Sequence, residues 1–235
     1  VTRADGECTL VTASGDCTLR VWRRRAPSST SSHEVCDWSP IATINTGARL
    51  METVAAALLP HSGVLVIAAG GVDGSVNIYV EDVEAGKFPK IVSLPGHKDW
   101  IRGLHFSFVD DHSRDLFLAS SAQDTNIRIW KISAMTTDAN DEGAESALSE
   151  ALKSFSIMDG VGRNSSSSLG KRGHVFRVKR RPSSETGLAN DIQASLLKGV
   201  QYVVMFEALL TGHEDWVYSV SWHPPIIDED GGGGG

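Results

Sequence analysis

Residues 94–130 read LPGHKDWIRGLHFSFVDDHSRDLFLASSAQDTNIRIW, and the rest of the chain is read outward from them. The stretch opens on Gly96-His97, passes through two strand-like segments to Ser120 and Asp124, and closes on a third ending in Ile129-Trp130. A second opening, TGHEDWVYSVSW, begins at Thr211 and repeats the order. In both copies Gly-His is followed by one variable residue and then Asp-Trp, as Asp99-Trp100 and Asp215-Trp216. A branched residue comes next (Ile101, Val217), an apolar one three positions on (Leu104, Val220), and an aromatic two further (Phe106, Trp222). Apolar alternation between turns rich in Gly and Asp indicates half-buried strands.

Self-similarity of this kind marks a repeat architecture. The span from Gly96-His97 to Trp130 resembles one blade of a WD40 β-propeller. The resemblance implies an all-β fold of four-stranded antiparallel blades around a channel, with seven blades expected.

Upstream, TLVTASGDCTLRVW over residues 9–22 reads as two strands about a Gly15-Asp16 turn. Asp16 stands six residues before Trp22 and four after Thr12, as Asp124 stands to Trp130 and Ser120. Trp38 to Ile44 follows as an outer strand. Met51–Leu59, Val64–Ala69 and Ser75–Val80 make a degenerate blade with no Gly-His opening. Ala69 holds the hydroxyl position there and Tyr79 the Trp position, yet Asp73 still precedes the aromatic by six.

The expected organisation has six parts: a partial blade with its outer strand (1–46), the degenerate blade (47–94) and the full-signature blade (95–132); then a long, polar, disordered insertion (133–200), a returning outer strand with the start of another blade (201–230), and a polyglycine end (231–235). Beginning at Val1, the chain reads as an internal piece that needs further blades to fold stably.

The 235 residues are 41% hydrophobic, enough for a core, and the net charge of -7 argues against generic coating of nucleic acid. Three cysteines, Cys8, Cys17 and Cys36, lack metal-ligand spacing and suit a reducing compartment. No secretory leader and no membrane-length apolar run is apparent, so no membrane association is expected.

In WD40 blades the Gly-His histidine, a strand hydroxyl, the turn Asp and the closing Trp form one hydrogen-bonded set. The matching residues are His97, Ser120, Asp124 and Trp130. Thr12, Asp16 and Trp22, Asp73 and Tyr79, and His213 hold equivalent places. Reading His97, Ser120 and Asp124 as a catalytic triad is set aside, because the Asp-to-aromatic spacing recurs in blades without histidine and no Gly-x-Ser-x-Gly elbow is present. His61, His105, His112 and His174 form no compact ligand spacing. Gly70 to Gly74 lacks the Lys-Ser/Thr of a phosphate loop. No catalytic, metal or cofactor site is therefore expected.

Two features stay open at this level. Trp100 and Trp216, with Asp99 and Asp215, either line a binding face near the channel mouth or cover the blade edge as packing. The basic residues Lys171, Arg172, Arg177, Lys179, Arg180 and Arg181 either contact RNA phosphates or serve nuclear import, against the plain alternative of a solvated loop.

The two Gly-His-x-Asp-Trp copies, the phrase DLFLASSAQDTNIRIWKI, and the long insertion before LLTGHEDWVYSVSWHP together resemble the Elongator complex protein 2 family. The resemblance is closest over Leu94–Ile132 and Phe206–Pro224, and rests on blade order elsewhere. It implies the middle of the first of two propellers, in a non-catalytic scaffold subunit. The implied partners are a large propeller scaffold and a catalytic subunit of radical-SAM and acetyltransferase-like type, which modifies C5 of wobble uridines in tRNA. Iron–sulfur cluster, S-adenosylmethionine and acetyl-CoA belong to that partner. The resemblance further implies at most a weak or indirect tRNA contact here, and a cytoplasmic location with the nucleus as a second one. The alternative is a general WD40 interaction scaffold or substrate receptor of another complex.

Overall fold

The computed structural model describes residues 1–3, 6–24, 38–108, 115–135, 173–179 and 199–223. Among them the chain forms twelve strands in three antiparallel sheets. The first sheet holds β1 (Cys8–Ala13), β2 (Thr18–Arg24) and β3 (Ser39–Asn45) in that order. The middle sheet holds β4 (Met51–Leu58), β5 (Leu65–Gly71), β6 (Val76–Val80) and β7 (Lys90–Leu94). The last runs β8 (Ile101–Phe108), β9 (Asp115–Ala122), β10 (Ile127–Met135), then β12 (Val200–Leu210), with β11 (His174–Val178) outside β12.

The period of two along a strand divides the core. On β5, Leu65, Ile67 and Ala69 face the first sheet, where they join Leu19, Val21 and Ile44. Val66 and Ala68 face the last sheet, joining Val76, Ile78, Ile101, Leu116 and Leu118. The middle sheet is thus covered on both sides, and every residue of β5 and β6 is buried. Full burial of a large aliphatic side chain contributes about 1.5–3 kcal/mol. That outweighs the roughly 0.5–1 kcal/mol that Gly70 costs a strand interior. Glycine is required at this position, because a Cβ on Gly70 would lie 2.6 Å from Ile101 Cγ2, where β8 crosses the sheet.

The hairpin turns share one device. Asp16, Asp73 and Asp124 each accept, through Oδ1, the backbone N–H two residues on, at 3.0, 3.0 and 3.1 Å. The intervening residue lies in the left-handed region: Cys17 (φ 62°), Gly74 (φ 66°) and Thr125 (φ 67°). An Asp side chain closing its own turn explains why Asp recurs at this place in all three sheets.

A second repeat lies where the strand after each Asp turn pairs with its outer neighbour. The register shifts between Val21 and Trp22, between Ile78 and Tyr79, and between Ile129 and Trp130. Each is a bulge opposite the recurring aromatic, and the outer strand carries the extra residue: Ile41, Ile91 and Glu207.

The expected ring of four-stranded propeller blades is not what these residues form. Only the middle sheet has four strands; the first has three and the last five. The outer sheets each pack on the middle one, through β1 and β8 against β4, and among the described residues no ring closes. The fifth strand arises inside the span 133–200 that reads as a polar insertion. Within His174–Val178, Phe176 and Val178 are buried while Val175 and Arg177 are exposed, and Phe176 stacks on Tyr202 at 5.5 Å between ring centroids. Residues 133–135 continue β10. Residues 136–172 and 180–198, the polyglycine end and Cys36 lie outside the described residues. Residues 211–223, read as the start of another blade, form no strand. They run beside β8, with the Val217 N–H donating to Ala122 O at 3.1 Å and the Trp222 N–H to His105 Nδ1 at 2.8 Å.

Candidate functional site

His97, Ser120, Asp124 and Trp130 come together in the last sheet. Asp124 sits in the β9–β10 turn, Ser120 on β9 and Trp130 on β10, while His97 arrives from the segment before β8. His97 Nδ1 lies 3.0 and 3.1 Å from the two Asp124 carboxylate oxygens, and Nε2 lies 2.9 Å from Ser120 Oγ. Trp130 Nε1–H donates to the same Ser120 Oγ at 3.1 Å. Lys98 N–H donates to Asp124 at 2.9 Å.

The donors count out to one protonation pattern. Neutral His97 carries its proton on Nδ1 and donates it to Asp124. Its Nε2 then accepts the Ser120 hydroxyl proton, and Ser120 Oγ accepts from the indole. Burial holds the His97 imidazole below its ordinary value of 6.5, against the pull of Asp124. Burial also works against the charge on Asp124, but the Lys98 N–H, His97 and the Asn126 N–H outweigh it and hold this carboxyl below 3.8.

This set shares residue types with a hydrolytic triad and differs in access. Ser120 is 0% exposed, and its oxygen is engaged by both imidazole and indole. No substrate carbonyl can reach it. The arrangement fixes the β9–β10 turn against the approach to β8.

The other sheets carry versions of the set. In the first, Trp22 Nε1–H donates to Thr12 Oγ1 at 3.1 Å, and Asp16 accepts from the Thr18 hydroxyl at 2.6 Å. In the middle sheet, Ala69 and Tyr79 are buried at 0% and 4% exposure, so apolar packing replaces the hydroxyl–indole bond. Burial, followed by the nearby Asp73 charge, pushes the Tyr79 phenol up. Asp73 itself pairs with Arg49 at 2.6 Å. His213 lies exposed at the surface.

The Asp-Trp pairs are at the surface too. Asp99 and Asp215 are exposed and each accepts the N–H of the following Trp, at 2.8 and 2.7 Å. Of the basic tract, Arg177 is exposed on β11 and Lys179 pairs with Glu84 at 2.6 Å. Lys171, Arg172, Arg180 and Arg181 lie outside the described residues. Among the described residues no group of three His, Cys, Asp or Glu side chains could hold a metal ion, and no helix is long and apolar enough to cross a membrane. Cys8 and Cys17 are free thiols.

Two groupings escape the sequence. Trp222 clasps His105 through both of its N–H groups, the indole donating to His105 O at 2.9 Å. Arg3 and Arg23 meet Glu7 and Glu81 in a largely buried ion quartet that ties the chain start and the first sheet to the middle one. Charge spacing alone reads such residues as solvated, and only the fold brings them together.

Asp-closed turns thus recur in all three sheets, and hydroxyl–indole pairs in two of them. The family model "WD domain, G-beta repeat" matches residues 88–131 and 205–225. The chain is similar to Elongator complex protein 2. It is 29% identical over 244 residues to that of Dictyostelium discoideum, covering 97% of this chain and 24% of the relative. With the Danio rerio protein it shares 30% over 221 residues, covering 94% and 20%. With the Homo sapiens protein it shares 28% over 225 residues, covering 95% and 21%. The chain therefore spans a quarter or less of the length of these relatives. Among solved structures, Chaetomium thermophilum Sqt1 bound to the N-terminus of ribosomal protein L10 matches at a TM-score of 0.42. Identity there is 20%, over 55% of this chain and 30% of that one.

Proposed function

We propose that the chain is part of a non-catalytic scaffold subunit of the Elongator complex. In this reading it helps hold a large scaffold subunit together with a radical-SAM, acetyltransferase-like subunit that modifies C5 of wobble uridines in tRNA. The observation that carries the reading is similarity to Elongator complex protein 2 over 94–97% of the chain. Burial of the His97–Ser120–Asp124 set supports it, since these groups are spent on holding the fold. The chemistry and its cofactors then reside on the catalytic partner. Exposed Arg177 offers at most a weak tRNA contact, and the location is cytoplasmic with the nucleus as a second site.

The test is affinity purification of the tagged full-length protein from its own cells, read by mass spectrometry. Stoichiometric recovery of both core subunits, with loss of wobble-uridine modification on depletion, is the expected result. Recovery of another assembly's subunits with neither of those two would overturn the reading in favour of a general interaction scaffold.

A further inference from the structure

We propose that the end of the last sheet carrying Trp100 and Trp216 is a docking surface for an arginine-bearing segment of a partner protein. The inference goes beyond the scaffold reading and does not rest on it.

Placement comes first. The Gln123 N–H donates to Trp100 O at 3.0 Å, and the Val217 N–H donates to Ala122 O at 3.1 Å. Both tryptophans therefore flank the start of the β9–β10 turn, at one end of the sheet. Trp100 is 39% exposed although its neighbouring strands are in place, and Trp216 is 48% exposed. Trp130, by contrast, is 5% exposed. Packing at a sheet edge would cover the Trp100 ring, and here that ring is presented.

Trp100 is also braced. The Arg102 guanidinium lies 5.2 Å from the ring centroid. Glu52 pairs with that guanidinium and neutralises its charge. With its side-chain amide turned so that the oxygen faces Arg102, Gln123 accepts from Arg102 Nε at 2.9 Å and donates to Asp99 at 3.3 Å. The ring is held by one face and offered by the rest. An aromatic ordered in advance loses little freedom on binding, as hot-spot residues require.

Charge then selects the partner. Glu52–Arg102 and Arg49–Asp73 are paired internally. Around the rings that leaves exposed Asp99, Glu214 and Asp215 against Lys98. Indole faces attract cations, and carboxylates beside them complete the match for guanidinium, which stacks flat on a ring while its edge pairs with an acid. The same acidic surroundings repel phosphate. The Gly-His-x-Asp-Trp unit occurs twice, so the fitting partner presents more than one basic side chain.

The test uses purified full-length protein and fluorescein-labelled twelve-residue peptides of Arg-Gly-Ser repeats, read by fluorescence anisotropy. The control peptide carries citrulline, which keeps the shape of arginine without the charge. We expect the arginine peptide to bind at least about ten-fold tighter than the citrulline peptide. Trp100→Ala should weaken it about three- to thirty-fold, the range of one lost cation–π contact. Trp100→Phe should keep most of the affinity, and Asp99→Asn with Asp215→Asn should lower the association rate and its salt dependence. Circular dichroism checks that each variant is folded, and Trp216→Ala serves if Trp100→Ala is not. Equal binding of the two peptides, an unchanged Kd in the folded tryptophan variants, or preference for a twelve-nucleotide oligouridine would each overturn the proposal. Such a result leaves co-purification with Elongator subunits untouched, so the two readings fail separately.

Discussion

Removing one oxygen atom, in Ser120→Ala, tests the reading of the buried polar set. Ser120 Oγ accepts from the Trp130 indole at 3.1 Å and faces His97 Nε2 at 2.9 Å. Ser120 is 0% and Trp130 5% exposed, and the His97 side chain is 1% exposed, so water cannot replace the oxygen without rearrangement. Each buried group left unpaired costs about 1–3 kcal/mol. The two orphans share one pocket and relax together, so the sum falls short of strict addition, at about 2–4 kcal/mol. The middle sheet supplies a design for rescue, because Ala69 and Tyr79 occupy the equivalent positions there without the bond. Ser120→Ala with Trp130→Tyr removes the orphaned indole donor and should recover about 1 kcal/mol of the loss. Native-state hydrogen exchange at the β9 and β10 amides of the full-length protein reads the local stability directly. If Ser120→Ala leaves those protection factors within about 0.5 kcal/mol of wild type, or if the double variant is no better than the single, the accounting of donors and acceptors is wrong.

Three further outcomes are expected. Acidification should destabilise the protein in two windows. Unfolded His97 takes up a proton below about pH 6.5 and the folded side chain resists it, so stability rises with pH across that window and falls as pH drops. Asp124 adds a second loss only as pH falls below 3.8, and urea midpoints measured against His97→Gln isolate the first window. Glu81→Gln should cost about 3–5 kcal/mol, since Glu81 and Arg3 have side chains only 7% and 8% exposed and Glu81 also accepts the Leu65 N–H; denaturant titration reads the loss. Gly70→Ala should lower Tm by an amount equivalent to about 1–3 kcal/mol of overpacking against Ile101.

The strands were legible in the sequence where alternation and turn chemistry agreed. The Asp16, Asp73 and Asp124 turns show why: each Asp acts on a backbone two residues away, so the signal is local. The set about His97 was named from the resemblance to WD40 blades, and the repeated spacing marked only its Asp and its aromatic. The architecture was not. How many strands join a sheet depends on contacts between residues distant in sequence. β11 pairs with β12 across the intervening chain, and its five residues lie in a basic stretch whose charges mask the buried Phe176 and Val178. The Arg3–Glu7–Arg23–Glu81 quartet was hidden for the same reason, with partners up to 78 residues apart. Trp100 stood out in the sequence, but its exposure and its brace by Arg102 depend on how β4 and β8 meet in the fold.

The bulges opposite Trp22, Tyr79 and Trp130 bear on how the protein behaves when crowded. An unpaired strand edge is a template for another chain, and a long flat one invites stacking into aggregates. Among the described residues β3 and β7 each leave such an edge open, but each carries its extra residue, Ile41 or Ile91, within the strand. The kink breaks the row of free N–H and C=O groups after a few residues. The outer strand of eleven residues, β12, is long enough to template pairing despite its bulge at Glu207, and β11 covers its edge over Val200–Val204. The chain thus limits unwanted self-association in two ways: it bends the short edges and caps the first half of the long one.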